Sequence, residues 1–306
     1  MKKLFFIQIL LFYALAICFM PIRAYTQIVN YHIEDSSYYK NKRPLYLITS
    51  QAVVATSSII ALNNLWYKNY SRSKFHFFND GNEWLQMDKA GHILTSYQIN
   101  KISYQNMLEM GKSDKFSLIY GTTFTVAYMT SIEVLDGFSS EWGFSLWDFS
   151  ANALGTLIFD IQQVALKEQK FILKYSYYKS EYVQYKPSLL GNSLIENIIK
   201  DYNGQTYWIS ANIASLYKNS SLPKWLNFAF GYGANGMISA KNVSLTLPYF
   251  KRYRQFYFSP DIDLSRIRVK NKTLKLCLNL VNFIKIPAPT IEVKENGKIT
   301  LYPLYF

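Results

Sequence analysis

The sequence predicts an α+β protein, with an N-terminal α-helical bundle of about four helices followed by a β-rich C-terminal half. A change of texture partway along the 306 residues carries that prediction. Up to about Lys167, apolar residues recur at the 3.6-residue helical period with capping signals between the runs. Beyond it, apolar and small residues alternate at period 2, as in strands. About two structural units are expected at this length. The division expected is residues 1–24 for a signal peptide, 25–168 for a helical bundle domain and 169–306 for a β-rich, outer-membrane-associated region.

The N-terminus predicts the compartment. Lys2 and Lys3 precede an apolar run to Met20, and Pro21-Ile22-Arg23-Ala24 follows, the charged, apolar and small-residue order of a secretory signal. Cleavage is expected after Ala24. Two alternatives stay open: the run can persist as an uncleaved anchor, and Cys18 can be a lipidation cysteine, although the bulky Ile17 before it argues against that processing. The expected location is the bacterial periplasm or outer membrane. If Cys18 leaves with the signal, Cys277 is the sole cysteine, so an intramolecular disulfide is impossible and any metal must rest on His and carboxylates. The formal charge of +13 comes from scattered Lys and Arg among 26 Tyr and 21 Phe. Scattered cations with abundant aromatics fit membrane lipid or envelope components as partners and no nucleic acid.

The helices follow in order. Residues 45–66 are largely apolar but broken by Thr, Ser, Gln and Asn, which suits a buried or membrane-apposed helix. Residues 67–78, with Lys68, Arg72, Lys74 and five aromatic rings, predict an interfacial loop containing His76. Asp80-Gly81-Asn82-Glu83 has the form of a capping box opening a second helix over 83–108. That helix carries Asp88 and His92 one turn apart, with Lys89 expected to snorkel to solvent. Gly111-Lys112-Ser113-Asp114 breaks it, and a third helix over 116–135 ends at Glu133, Asp136 and a Gly137 stop. Ser145 then caps a fourth helix over 146–167, which places Asp148, Asn152 and Gly155 on one face.

Asp88-Lys89-x-x-His92, Glu133-x-x-Asp136-Gly137 and Ser145-x-x-Asp148-x-x-x-Asn152-x-x-Gly155, in that order, resemble the pattern of the YfiM-type predicted periplasmic lipoproteins, a family of unknown function. A looser similarity extends to VanZ-like membrane proteins. The resemblance spans about residues 80–160 and implies an envelope location and a helical bundle. It implies no particular chemistry.

In the C-terminal half, Phe171, Leu173, Tyr175 and Tyr177 alternate, as do Leu226, Phe228, Phe230 and Tyr232 against Asn, Ala and Gly. Such strands show aromatics to lipid and small groups to an interior. Residues 255–264 and 298–306 also read as extended, the latter ending on an aromatic. Residues 194–202 and 274–283 read as helices. This strand set leaves barrel closure open, since the smallest membrane barrels need about eight.

Asp88, His92, Glu133, Asp148 and Asn152 come from three helices, and a bundle can converge them on one point. Three readings follow. They form a structural polar network, because buried polar groups must be paired. Alternatively, Asp88, His92, Glu133 and Asp148 hold a divalent metal as the cofactor. In the third reading His92 is a general base, oriented by Glu133 and Asp148, acting on lipid or cell-wall glycan as a metal-dependent hydrolase or transferase would. The network is the default, and an uncharacterised, non-enzymatic envelope protein is the function that goes with it.

Overall fold

The computed structural model describes residues 48–60, 71–217, 220–241 and 250–306. The signal peptide, Cys18, His32 and Lys68 lie outside the described residues.

Helix α1 spans residues 48–60 and buries Gln51, Val54, Ala55 and Ser58, an i, i+3, i+4, i+7 stripe. Its polar members bond to the third helix: Tyr120 OH donates to Gln51 Oε1 at 2.6 Å, and Ser58 Oγ lies 2.8 Å from Tyr128 OH. Helix α2 is Met87–Glu109, α3 is Asp114–Gly137 and α4 is Leu146–Leu166. Ser113 and Ser145 cap α3 and α4 by accepting the amides of Phe116 and Asp148.

Helix α2 is the axis of the molecule. It is buried almost all round, between α3 and α4 on one side and the sheet on the other. Two glycines allow the close approach. A Cβ on Gly155 of α4 would lie 2.1 Å from Ile93 O, and one on Gly121 of α3 would lie 2.6 Å from Asn100 Oδ1.

The capping box expected at Asp80–Glu83 does not form. Asp80 is turned into the protein interior, and Asn82 stands at the head of a short 3-10 turn, Glu83–Gln86, without a side-chain cap bond. Trp84, Leu85 and Gln86 have φ of 50°, 49° and 62°, so the chain makes a left-handed turn before α2 begins at Met87. Side chains without glycine's freedom cost ~1–2 kcal/mol each in this region. Tertiary contacts offset that cost: Trp84 N donates to Ala240 O at 2.9 Å, Tyr232 OH to Leu85 O at 2.5 Å and Arg254 Nη2 to Gln86 Oε1 at 2.9 Å. Gly137 likewise is not a left-handed stop. It lies in the last turn of α3, where a Cβ would strike the Phe75 ring at 2.4 Å.

The C-terminal half is a six-stranded antiparallel sheet in sequence order: β1 Phe171–Tyr177, β2 Gln205–Ala211, β3 Leu226–Asn235, β4 Tyr253–Ile262, β5 Ala288–Lys294 and β6 Ile299–Tyr305. Helix α5, Leu194–Lys200, and α6, Lys272–Val281, fall where helices were expected. Strands β2 and β5 were not anticipated. The sheet does not close into a barrel. The free edge of β1 instead pairs with 283–285, where Tyr175 N donates to Phe283 O and Lys285 N to Tyr175 O, both at 2.8 Å.

The sheet curls strongly, because Tyr305 of β6 reaches Thr206 Oγ1 at 3.0 Å and packs edge-to-face against Trp208, both from β2. Its concave face is polar: Lys174 pairs with Asp261 at 2.8 Å, Ser210 Oγ donates to the same carboxylate at 2.6 Å, and Lys285 lies over the Trp208 ring. The convex face carries Leu173, Tyr175 and Tyr207 against the helical core, and Gln98 Nε2 of α2 donates to Leu173 O at 2.7 Å. Further along the same face, Ile209, Phe230, Phe256, Phe258, Ile291 and Leu301 are exposed.

Candidate functional site

The polar residues singled out in the sequence meet where α2, α3 and α4 converge, at the end nearer the left-handed turn. Asp88 and His92 are one turn apart on α2; Glu133 sits near the end of α3; Asp148 and Asn152 occupy the first two turns of α4. Their registers point them at one another because the polar positions on α2 and α4 lie on the stripes that face each other.

Two residues that sequence reasoning placed elsewhere belong to the same cluster. Lys89 does not snorkel to solvent. Its ammonium lies 2.5 Å from Asp148 Oδ1, 2.7 Å from Asp88 Oδ2 and 2.9 Å from Asp80 Oδ1, and the residue is only 8 % exposed. Asp80, read from sequence as a cap, is fully buried and accepts Ser145 Oγ at 2.5 Å. The α4 cap thereby becomes a link between Asp80 and Asp148. No spacing rule connects residue 80 to residue 148, so only the fold reveals this.

Lys89 therefore occupies a cage of three carboxylates. Burial alone would push its pKa down, but the charges of Asp88 and Asp148 outweigh desolvation and hold it above the ordinary lysine value. The ammonium is the built-in cation of the Asp80, Asp88 and Asp148 group.

His92 governs the other half. Its Nδ1 lies 3.0 Å from Asn152 Oδ1 and 3.4 Å from Glu133 Oε1, while Nε2 lies 3.5 Å from Asp148 Oδ1. Asn152 bridges, taking a bond from Ser96 Oγ at 3.1 Å on its oxygen and giving one from Nδ2 to Glu133 at 3.4 Å. Because Asn152 Oδ1 can only accept, Nδ1 is the donor in that contact, and Nε2 faces Asp148.

His92, Glu133 and Asp148 each offer a ligand atom within 4.8 Å of the others, and so do Asp80, Asp88 and Asp148. The second set is already filled by Lys89. In the first, Nε2 and Asp148 Oδ1 stand 3.5 Å apart, close to the roughly 3.3 Å edge expected for two ligands at ~2.0 Å from a tetrahedral zinc. That oxygen also holds Lys89 at 2.5 Å and Glu133 approaches the other ring nitrogen, so a cation there would share Asp148 with the ammonium. Three carboxylates surround Lys89 and a fourth, Glu133, lies against His92, so the cluster holds more acidic groups than lysines. A nucleophilic or general-base role needs substrate at the imidazole, and His92 is 2 % exposed with Glu133 and Asp148 fully buried. Asp136, in the last turn of α3, and His76, held by Ser73 Oγ at 3.2 Å in the loop before α2, stand apart from the described contacts of the cluster.

Residues 76–162 match a family model described as predicted periplasmic lipoprotein (DUF2279). The match covers α2, α3 and α4 up to its last turn with the whole cluster, and ends before the sheet. It agrees with an exported, envelope location. No curated protein and no solved structure matches the chain.

Proposed function

We propose that the chain is an exported cell-envelope protein without catalytic activity, associated with the outer membrane by the convex face of its sheet and braced by the acidic centre. The observation that carries this reading is the inversion of the sheet. Lys174, Ser210 and Asp261 fill the concave side, while Phe230, Phe256 and Leu301 stand 59 %, 49 % and 70 % exposed on the convex side. A water-facing sheet has the opposite pattern, and a lipid-facing one has this pattern. Leu154, Leu157 and Ile161 extend the apolar surface onto α4. No helix among the described residues is long and apolar enough to cross a membrane. The signal-like N-terminus and the match to the predicted periplasmic lipoprotein model support an envelope role.

The test is fractionation. The wild-type chain should sediment with outer membranes and resist high-salt extraction. Phe230→Asp with Phe258→Asp should release it in folded form. Release of the wild type by salt alone would refute an apolar attachment.

Within the centre, the corner formed by His92, Glu133 and Asp148 is the part of the network proposed to accept a divalent cation. Metal analysis of protein purified without chelator should find a stoichiometric ion that His92→Ala loses. If none is found, the cluster is a structural network only. A hydrolase or transferase acting on lipid or glycan is the less favoured reading, since His92 is sealed between helices.

A further inference from the structure

Away from the acidic centre, the C-terminal half of α2 and helix α6 enclose a cleft of about 220 Å³. Lys101 and Ile102 line one wall and Leu276, Asn279 and Leu280 the other, with Glu109 at the rim. A cavity of about 150 Å³ holds benzene, so this one suits a molecule only slightly larger.

Lys101 is 9 % exposed and makes no hydrogen bond or ion pair among the described residues. The charges around it are committed elsewhere. Asp263 accepts Ser265 Oγ at 2.5 Å, Arg266 Nε at 3.0 Å and Asn282 Nδ2 at 2.9 Å, and Lys174 is paired with Asp261 at 2.8 Å. Glu109 lies eight residues on, about 12 Å along the helix axis at 1.5 Å per residue. Burial pushes the Lys101 amine down to about 8, with Asp263 partly offsetting and Lys174 reinforcing the shift. At neutral pH the amine is still mostly protonated. A buried ammonium without a counter-charge is costly, and most such groups in proteins are paired.

We propose that this cleft is a binding site for a small monocarboxylate with a short apolar body, its head group pairing with Lys101 and its chain lying against Ile102, Leu276 and Leu280. One buried lysine in a cleft whose other inner polar groups are the neutral amides of Asn106 and Asn279 matches a single negative charge. A phosphate dianion would call for several converging donors. The ligand gains affinity because it gives Lys101 a direct partner, where Asp263, already bonded to Ser265, Arg266 and Asn282, acts on it only through its field.

The experiment uses hexanoate, with hexanamide and hexylammonium as isosteric controls, at constant ionic strength on the mature chain. Hexanoate should bind saturably by calorimetry in the millimolar range and raise the melting temperature, and the two controls should not. Lys101→Met should weaken hexanoate at least tenfold, equivalent to about 1.4 kcal/mol. Leu280→Trp, which fills the cleft while keeping the lysine, should abolish binding and shows whether the cleft itself is the site. Undetectable hexanoate binding, equal binding by Lys101→Met, or equal binding of hexanamide would each overturn the proposal.

Discussion

Lys89 is the residue on which the acidic centre depends most. Three buried carboxylates converge on its ammonium within 2.9 Å, so removing it leaves their charges uncompensated. Breaking a buried ion pair from one side costs about 3–5 kcal/mol. Lys89→Met is therefore expected to lower urea-unfolding stability by that order. Adding Asp80→Asn should recover part of the loss, because one stranded charge is gone; simple additivity of the two changes would show that Lys89 and Asp80 do not interact. Asp88, His92, Glu133, Asp148 and Asn152 were legible in the sequence because helical period alone aims them at a bundle interior. Lys89 and Asp80 were not. Each has a good local reading, a snorkelling lysine and a helix cap, and only the meeting of α2 with α4 overrides it.

Helices α2 and α4 meet because Gly155 has no side chain. A Cβ there would overlap a backbone carbonyl, Ile93 O at 2.1 Å, which cannot rotate aside. Gly155→Ala is expected to cost roughly 1–3 kcal/mol by overpacking, and to loosen the His92 to Asn152 contact, visible as a changed imidazole NMR signal. The end of α4 offers the opposite case. Lys167 caps it at φ 58° with its side chain 70 % exposed and only a 3.8 Å contact to Asp114. Lys167→Gly should therefore stabilise the chain by about 1 kcal/mol in thermal or urea unfolding, since glycine enters this region without strain. The turn of Trp84, Leu85 and Gln86 could not be read from sequence for the converse reason: it contains no glycine, and bonds from Tyr232 and Arg254, some 150 residues away, hold it. Strands β1, β3, β4 and β6 were legible from alternation. Strand β2 is buried over most of its length, which erases the period, and β5 carries Pro289, which argues against a strand.

At the scale of the whole molecule, bundle and sheet are joined through a polar interior, and that gives the fold a pH dependence of definite sign. Lys101 lies in α2 near Asp263 and Lys174 of the sheet region, and Lys285 lies inside the curled sheet near Asp261. Burial pushes both amines down to about 8, with the acids only partly offsetting it. Unfolded lysines titrate near ~10.4. Below pH 8 both states are protonated and the folded one bears the full cost of two buried charges. Between about 8 and 10 the folded amines release protons that the unfolded chain keeps, so the unfolded state binds more protons and stability rises with pH. The gain is complete only above the unfolded value. An opposing term enters there: desolvation pushes the Tyr128 and Tyr305 hydroxyls up to about 12, so above about pH 10 the unfolded chain loses phenolic protons that the folded chain retains, and stability falls. Urea unfolding across pH 7 to 11 should therefore show a maximum on the alkaline side, near pH 10, in place of the usual optimum between about 5 and 8. In Lys101→Met with Lys285→Met the rise from pH 8 to 10 should vanish and the fall above it remain. A wild-type profile that is flat or falling from pH 8 would mean that the two lysines reach solvent or a counter-ion, and would place the junction of bundle and sheet in contact with water.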